Sequence, residues 1–439
     1  MGFGKSPNEV NGRARGRTYA SADGGYWEMS EISTLDAAAQ GRGVEPAFQP
    51  IVNLESGAIV GFEALARWPR IDAIGAGDVF QHAETVGSRE QLNERCANAA
   101  LAAALDADLP AKTLIAVNYE PDSPYPGRVD VELLRHARSR FTLAFELTER
   151  GMLTHPQTLL ATVAAMRADG FLVVLDDVGA HPDSLALLDV IEPDIIKLDM
   201  TLVQRRPQKA QARTITAVLA HHERTQSPIL AEGIENETHL KHALALGASL
   251  GQGFKYGRAE PIASTLPPSP DWAAPTRSTR RKAPAPYDLV EQSSGARRVG
   301  PKHILTALSE HIETQASCTA DPPIILTALQ QRRYFTPETG RRYAELARFC
   351  PLVAVFGEDL PTRPGDGIRG VPLDPDDPLC AEWTVVALGP HLAVALIARE
   401  CFIRDSPEIR DCDRQFEFIL SFERRLVTEA AHSLLQRML

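Results

Sequence analysis

Acidic and amide side chains stand inside or directly after a series of short apolar runs in the first part of the chain. They are Glu63, Asn118, Glu146, Glu149, Asp176, Asp177, Glu232, Glu235 and Gln252. A carboxylate in apolar surroundings is costly unless a cation or a proton compensates its charge. Only Arg67 and Lys197 accompany the set as cations, so hard divalent ions with oxygen ligands are the natural complement. The residue types therefore predict a two-metal site that activates a water and holds a phosphate for in-line displacement.

Each of these acids has a second interpretation, because Asp and Glu often begin the helix that follows a strand and cap its backbone N–H groups. That interpretation can explain any one of them. It does not explain acids inside apolar runs, such as Glu63 directly after Phe62, or Glu146 between two apolar neighbours. The adjacent acids Asp176 and Asp177 can also reach two ions, which favours the metal site.

The elements that must position these residues are short strand-like runs that alternate with helix-like segments. The runs span 48–52, 59–65, 113–117, 141–147, 171–175, 194–198, 228–231 and 248–254, and the helical patterns span 89–107, 156–169, 209–225 and 237–246. This alternation predicts an α/β fold, and the count and size favour a TIM-like (β/α)₈ barrel over a doubly wound sheet. In a parallel barrel the strand ends open on one face, where the polar residues would converge.

Local changes in composition divide the 439 residues into further segments. Residues 1–40 are polar and aperiodic and are expected to be a flexible leader, followed by the barrel over 41–265. The Pro- and Arg-rich stretch 266–302 predicts an extended linker. A small α/β domain with a mostly antiparallel sheet is expected over 303–439. Its predicted helices span 304–315, 337–349 and 416–438, and its strands span 323–329, 352–356 and the hairpin 383–388 with 392–398.

Bulk properties exclude several classes of protein. The net charge of −11 argues against a non-specific nucleic-acid binder. No apolar run reaches the roughly 18 residues of a membrane span, and no signal peptide is visible at the start, so no membrane insertion is expected. The six cysteines form no C-x-x-C pair, which is typical of reduced thiols in a cytoplasmic protein.

The fragments around these residues resemble the motifs of the EAL-domain cyclic di-GMP phosphodiesterases, in the family's order, over residues 46 to 261. They are Phe48-Gln49-Pro50-Ile51, Glu63-Ala64-Leu65-Ala66-Arg67, Asn118, Phe145-Glu146-Leu147-Thr148-Glu149, Asp176-Asp177-Val178-Gly179, Ile196-Lys197-Leu198-Asp199, Ala231-Glu232-Gly233-Ile234-Glu235 and Gln252-Gly253-Phe254. The resemblance implies hydrolysis of cyclic di-GMP to linear pGpG with two Mg²⁺ or Mn²⁺ ions. It also implies a homodimer.

The resemblance further implies roles for individual residues. The expected ligands of the first metal are Glu63, Asn118, Glu146 and Asp176, and those of the second are Asp176, Asp177 and Glu232. Lys197 would orient and polarise the attacking water. Glu235 and Gln252 would support the residues that bind the metals. The residues expected to contact the nucleotide are Gln49, Leu65, Arg67 and Asp199.

The loop after Asp177 departs from the family pattern, which is Gly-rich and contains serines. Here Gly179, Ser184 and Leu185 keep their places, while His181 and Pro182 replace more flexible positions. The resemblance associates this loop with the second metal and with dimer-linked control, and it assigns Glu149 as the loop's anchor. Low or differently regulated activity is therefore expected, and the alternative is a weak or inactive domain that acts as a cyclic di-GMP receptor. A third possibility, an enolase-type barrel, fits the motif order poorly.

The C-terminal part is similar to the DICT sensory domains over about 120 residues. The fragments that carry this similarity include Arg332-Arg333-Tyr334-Phe335-Thr336-Pro337, Arg369-Gly370-Val371-Pro372-Leu373 and the run 383–399. They contain no nucleophile or metal constellation. This part is therefore expected to regulate the barrel in response to an unknown ligand or protein partner.

Overall fold

The computed structural model describes residues 19–20, 26–27, 29–71, 74–107, 109–119, 130–148, 156–180, 184–205, 208–262, 272, 275, 284–291, 295–401, 411 and 414–439. Two short paired strands come first, β1 (Tyr19–Ala20) and β2 (Tyr26–Trp27). A closed eight-stranded barrel and a separate seven-stranded sheet follow. None of the helices in the described part of the chain is both long and apolar enough to cross a bilayer.

The barrel confirms the predicted (β/α)₈ architecture. Its strands are β3 (Glu45–Asn53), β4 (Ile59–Arg67), β5 (Leu114–Tyr119), β6 (Thr142–Thr148), β7 (Leu172–Val178), β8 (Ile195–Leu198), β9 (Ile229–Ala231) and β10 (Leu250–Gly251). They close in chain order, with β10 paired to β3. Each predicted run coincides with one strand.

The first barrel strand departs from the expected all-parallel arrangement. Strand β3 runs antiparallel to both β4 and β10, whereas the other neighbours are parallel. The cause is the tight turn between β3 and β4, where Asn53 Oδ1 accepts hydrogen bonds from the backbone N–H groups of Glu55 and Ser56. Gly57 completes the turn at φ +72°. A connection this short can join only antiparallel strands.

Helices surround the barrel and fill more of the chain than the sequence predicted. They are α1 (Met29–Ala39), α2 (Ala76–Val86), α3 (Arg89–Asp106), α4 (Val131–Arg140), α5 (Pro156–Ala168), α6 (Ser184–Ile191), α7 (Met200–Gln204), α8 (Lys209–Thr225) and α9 (Glu237–Ala245). The predicted helices α3, α5, α8 and α9 are confirmed, while α1 lies inside the predicted leader. Helix α4 begins where the Asp130 side chain accepts from the N–H groups of Glu132 and Leu133, a capping signal that could have located it.

The C-terminal sheet has the strand order β11-β17-β16-β15-β12-β13-β14. The first four pairings along it are antiparallel and the last two are parallel, which confirms a mostly antiparallel sheet. The strands are β11 (Arg298–Pro301), β12 (Ile324–Gln331), β13 (Val353–Glu358), β14 (Ile368–Leu373), β15 (Glu382–Leu388), β16 (Ala393–Glu400) and β17 (Gln415–Ser421). The helices are α10 (Pro286–Glu291), α11 (Lys302–Ser317), α12 (Pro337–Leu346) and α13 (Arg424–Gln436).

Apolar side chains cover both faces of this sheet. On one face Leu305 and Ile312 of α11 and Tyr343 of α12 share a core cluster with strand residues such as Val385. On the other face, residues of α13 such as Val427 belong to the cluster that continues into the barrel. The sheet therefore lies between a helical layer that faces away from the barrel and one that connects to it.

Two sequence expectations for this part are wrong. The helix predicted over 416–438 is the strand β17 followed by α13, because Phe416 and Phe418 are buried in the alternating pattern of a strand. The predicted linker 266–302 contains helix α10 and strand β11, which pairs with β17. The sheet therefore takes in residues from inside the predicted linker.

Candidate metal centre

Lys197 stands at the centre of an acidic cluster inside the barrel. It lies on β8 with its side chain 1% exposed. Its Nζ is 2.8 Å from both Glu146 Oε2 and Glu232 Oε1, 3.2 Å from Glu63 Oε2 and 3.3 Å from Asp176 Oδ1. Strands β4, β6 and β7 and the residue after β9 thus bring four carboxylates to one ammonium group, as the convergence of strand ends predicts.

Amide side chains hold the Glu63 carboxylate from both sides. Asn118 Nδ2 donates to Glu63 Oε1 over 3.1 Å, and Gln252 Nε2 donates to Glu63 Oε2 over 2.5 Å. Gln252 Nε2 also donates to Gln49 Oε1 at 3.0 Å, and Gln49 Nε2 donates to the carbonyl of Gly257 at 3.3 Å. The donation by Asn118 leaves its Oδ1 available as a ligand. A supporting role for Gln252 was expected, but its hydrogen bond to Gln49 was not foreseen, because the two residues are 203 positions apart in the sequence.

An irregularity in β7 lets two consecutive acids serve one site. Successive strand residues normally point to opposite faces, so Asp176 and Asp177 would diverge in a regular strand. The pairing of β7 with β8 shifts register between Leu175 and Val178, and Asp177 has φ +56°. The backbone N–H of Asp177 donates to Asp176 Oδ1 at 2.8 Å. As a result, carboxylate oxygens of Asp176, Asp177 and Glu232 all lie within 4.8 Å of one another.

The electrostatics of the cluster show more negative charge than Lys197 can balance. Burial raises the pKa of Glu146 well above its usual value, and the carboxylates of Glu63 and Asp176 add to the rise. Burial also raises the pKa of Glu232, to about 7. Burial alone would lower the pKa of Lys197, but the surrounding carboxylates raise it well above its usual value. Burial would raise the pKa of Glu63, but Lys197 and the amides of Gln252 and Asn118 hold it below its usual value.

The residues present fit divalent cations. The donors are carboxylates and one amide oxygen, the set that Mg²⁺ and Mn²⁺ prefer. Glu146 Oε1 and Gln252 Oε1 are buried and have no hydrogen-bond partner among the described residues. Such atoms are costly unless something else satisfies them. A cation beside Glu146 would satisfy its free oxygen and relieve the excess negative charge.

Comparison with known families fits this arrangement. Residues 32–259 match the family model for the EAL domain. The chain belongs to the EAL family. A second model, for the sensory domain in diguanylate cyclases and two-component systems (DICT), matches residues 287–401.

Relatives of the EAL part come from several bacteria. An uncharacterized signaling protein of Caulobacter vibrioides is 30% identical over 54% of this chain and 30% of its own length. The cyclic di-GMP phosphodiesterase RocR of Pseudomonas aeruginosa is 29% identical over 53% of this chain and 62% of its own length. The chain thus covers less than two thirds of either relative. The solved manganese and cy-diGMP complex of BlrP1 from Klebsiella pneumoniae is 27% identical, with a TM-score of 0.44, and covers 50% of this chain and 56% of its own.

Several predicted site residues lie outside the central cluster of the EAL domain. Arg67 is exposed, and its Nη1 donates to the neighbouring Ala66 carbonyl at 2.9 Å, while Leu65 is half-buried. Asp199 caps α7, because its Oδ1 accepts from the N–H of Thr201 at 2.9 Å. Asp199 is thus a helix-capping residue, which is the second interpretation that the sequence allows for an acid directly after a strand.

Of the remaining predicted residues, only Glu235 is described by the structure, and it lies apart from the cluster. The side chain of Glu235 is exposed, and no contact that the described residues make joins it to Lys197. Glu149 lies outside the described residues, and so do His181 and Pro182 of the altered loop. Their predicted roles therefore stay predictions.

Proposed function

We propose that the EAL domain hydrolyses cyclic di-GMP to linear pGpG with two Mg²⁺ or Mn²⁺ ions. The observation that carries the proposal is the group of four carboxylates around the buried Lys197, with Asp177 turned into the same site by the irregular β7. A phosphodiester needs positive charge where negative charge develops during displacement. An oxygen-lined site with excess negative charge supplies places for that positive charge, and the name of the Pseudomonas relative RocR supports the choice of substrate.

Within this proposal the chain's own residues hold and orient the reacting groups. One metal would be held by Glu63, Asn118, Glu146 and Asp176, and the other by Asp176, Asp177 and Glu232. Divalent ions bound there would polarise the phosphate and activate a water. The Lys197 ammonium would offset the repulsion among the carboxylates, and it would orient and polarise the attacking water by donating a hydrogen bond to it. Gln252 fixes the orientation of Glu63 through the 2.5 Å hydrogen bond.

At the rim of the barrel, exposed and half-buried residues are available to the nucleotide. Arg67 is exposed, and the N–H groups of its guanidinium other than the one that donates to Ala66 would clamp a phosphate with two parallel hydrogen bonds. Gln49, Leu65 and Asp199 would contact the nucleotide beside it. We further propose that the protein is a cytoplasmic homodimer, to be tested by light scattering and by cell fractionation.

The test is chromatographic conversion of cyclic di-GMP by the full chain, with Mg²⁺, Mn²⁺ or chelator. Glu63→Gln keeps the side-chain volume but removes the charge, and it should lower turnover by more than about 100-fold, since even indirect partners of metal ligands cost 10–100-fold. The matched control is Glu237→Gln, which alters an exposed barrel glutamate paired with Lys255. The control should retain full turnover. Binding of cyclic di-GMP without turnover in either metal would refute the proposal of an enzyme and establish that the domain is a receptor.

We also propose that the DICT part controls the EAL part through helix α6, which follows the altered loop after Asp177. Arg424 Nη1 of α13 donates to Asp189 Oδ2 of α6 at 2.8 Å, and His432 Nε2 donates to the Asp189 carbonyl at 2.8 Å. Arg224 Nη2 of α8 donates to Asp189 Oδ1 at 2.6 Å. The Asp189 side chain is only 4% exposed, so the pairing is buried.

This contact places a buried charge pair between the two parts of the chain, close to a metal-ligand strand. Burial would raise the pKa of Asp189, but His221, Arg224 and Arg424 hold it below its usual value. Removing one partner of a buried pair is costly because the remaining charge is left uncompensated. Asp189 keeps Arg224 when Arg424 is lost, so α6 should loosen without the barrel unfolding.

The variant Arg424→Met tests this control. Its kcat should fall several-fold because α6 loses the Arg424 hydrogen bond that joins it to α13. The matched control is Arg425→Met, which removes the next guanidinium, 83% exposed and paired only with Glu429 among the described residues. That control should behave as wild type. A kcat for Arg424→Met within twofold of the control would show that the contact transmits nothing to the metal site.

A further inference from the structure

A cavity of about 260 Å³ opens in the DICT part, on the face of the sheet that points away from the barrel. Helix α11 forms one wall with Ser309 and Glu313, and Trp383 of β15 lies on the sheet side. Tyr334 and Tyr343 add aromatic surface. The volume lies just below the range of about 300–1,000 Å³ that pockets for drug-sized ligands occupy, so it fits a smaller molecule.

Three buried polar atoms in the residues lining this cavity have no hydrogen-bond partner within the described part of the chain. They are Ser309 Oγ, Glu313 Oε1 and Trp383 Nε1. Ser309 and Glu313 are 4% and 5% exposed, and they stand four residues apart on one face of α11. Buried polar atoms almost always have a hydrogen-bond partner in native proteins. Three unpartnered atoms around one cavity therefore indicate a ligand that forms hydrogen bonds with them.

The charges of the cavity favour a neutral occupant. Its lining contains four basic and four acidic side chains, which balance. Glu313 Oε2 already accepts from Arg342 Nε at 2.9 Å, so the Glu313 charge is compensated and only Oε1 remains to accept. Arg414 is likewise engaged by Glu400. The unpartnered buried atoms of the lining are thus one acceptor, one indole N–H donor and one hydroxyl, and the lining carries little net charge.

We propose that this cavity binds a small, planar, uncharged molecule whose hydrogen-bond donor and acceptor stand side by side, as in an aromatic carboxamide or a lactam ring. The N–H of such a group pairs with Glu313 Oε1, its carbonyl accepts from Trp383 Nε1, and Ser309 pairs with either. The flat ring lies against the aromatic walls, where stacked and edge-on contacts add to burial. A carboxylate has no hydrogen to donate to Glu313 Oε1, and a hydrocarbon would leave all three atoms unpaired.

The experiment uses the full chain and defined probes in ligand-observed NMR titrations. Benzamide, nicotinamide and 2-pyridone have the adjacent donor and acceptor, whereas benzoate and toluene are matched in size but lack the pair. The three amide or lactam probes should bind at millimolar concentration or below, at least about tenfold tighter than benzoate and toluene. No binding by the amide probes, or equal binding by benzoate or toluene, would overturn the proposal and leave water as the occupant.

Variants place the probe in this cavity. Trp383→Phe keeps an aromatic ring but removes the N–H, and it should weaken benzamide binding about tenfold. Ser309→Ala provides a second, smaller change on the opposite wall with a loss in the same direction. Ser317→Ala is the control, since Ser317 is exposed near the end of the same helix and donates to Thr314. Benzamide binding that survives both cavity variants unchanged would also refute the site.

Discussion

Replacing Lys197 by Met removes the ammonium group but keeps most of the apolar stem, and it tests the electrostatics of the metal centre directly. In the absence of metal, four carboxylates within 3.3 Å of Nζ would lose the cation they share. Removing one partner of a buried ion pair costs roughly 3–5 kcal/mol. For a unit of this size each kcal/mol shifts Tm by about 2–4 °C, so the barrel should melt about 6–20 °C lower in chelator.

Divalent metal should reverse much of that loss. A ligand that binds only the folded state at 100 times its Kd adds about 2.7 kcal/mol of stability. In the variant, metal binding no longer competes with the positive charge of Lys197 for the same oxygens. Mn²⁺ should therefore raise the Tm of Lys197→Met by more than it raises that of the wild type, even though turnover is lost.

Scanning calorimetry of the full chain in chelator and in Mn²⁺ measures both effects. The control is Lys255→Met, because Lys255 is also ion-paired, with Glu237, but lies on the surface. An exposed pair contributes little, so this control should melt as the wild type does under both conditions. Equal losses in the two variants, or a Mn²⁺ response of Lys197→Met no larger than that of the wild type, would refute the reasoning.

Two further predictions concern buried backbone and a buried acid. Burial raises the pKa of Glu382 to about 7 from 4.5, so the free energy of unfolding should fall as pH rises between these values. Glu382→Gln should remove this pH dependence and be up to about 3 kcal/mol more stable than the wild type at pH 8. Denaturant titrations at pH 5 and pH 8 measure both effects. Gly253→Ala should destabilise the barrel and lower turnover in the same calorimetric and chromatographic assays, because its Cβ would lie 2.3 Å from backbone atoms of Ile234, next to Gln252. Gly77→Ala, in a helix with open space around it, is the control and should be neutral or stabilising. A pH slope retained in Glu382→Gln, or equal Tm values for the two alanine variants, would contradict these predictions.

The sequence predicted the barrel and most of the central cluster because both depend on local patterns. Acids such as Glu63 and Glu146 interrupt apolar runs, and strand periodicity with barrel closure is enough to bring them together. The joint use of Asp176 and Asp177 was predicted from their adjacency, although a regular strand would separate them. Only the register shift and the positive φ of Asp177 bring them to one site.

Elsewhere the patterns were ambiguous or depended on distant pairing. The stretch that includes Phe416 and Phe418 runs without a strong break into an amphipathic helix, so the two were predicted as one helix. Its strand character is fixed by pairing with β16, the preceding strand, and with β11, which lies far away in sequence. Helix α4 follows a capping Asp130, yet its weak apolar pattern did not stand out.

Strand β15 connects the two proposals made for the C-terminal part. Alternate residues of a strand face opposite sides of its sheet, so Trp383 and Val385 belong to the face with the cavity, whereas Val386 shares a core with α13. A ligand that hydrogen-bonds to Trp383 would thus act on a strand whose other face supports the helix that carries Arg424. Packed interiors transmit small displacements rather than absorb them. A displacement caused by a ligand in the cavity can therefore reach α6 through strand β15 and helix α13. A cavity ligand that changes the turnover of the wild type should therefore still bind to Arg424→Met but no longer change its turnover. If Arg424→Met loses ligand binding itself, the coupling between the cavity and the metal site lies elsewhere.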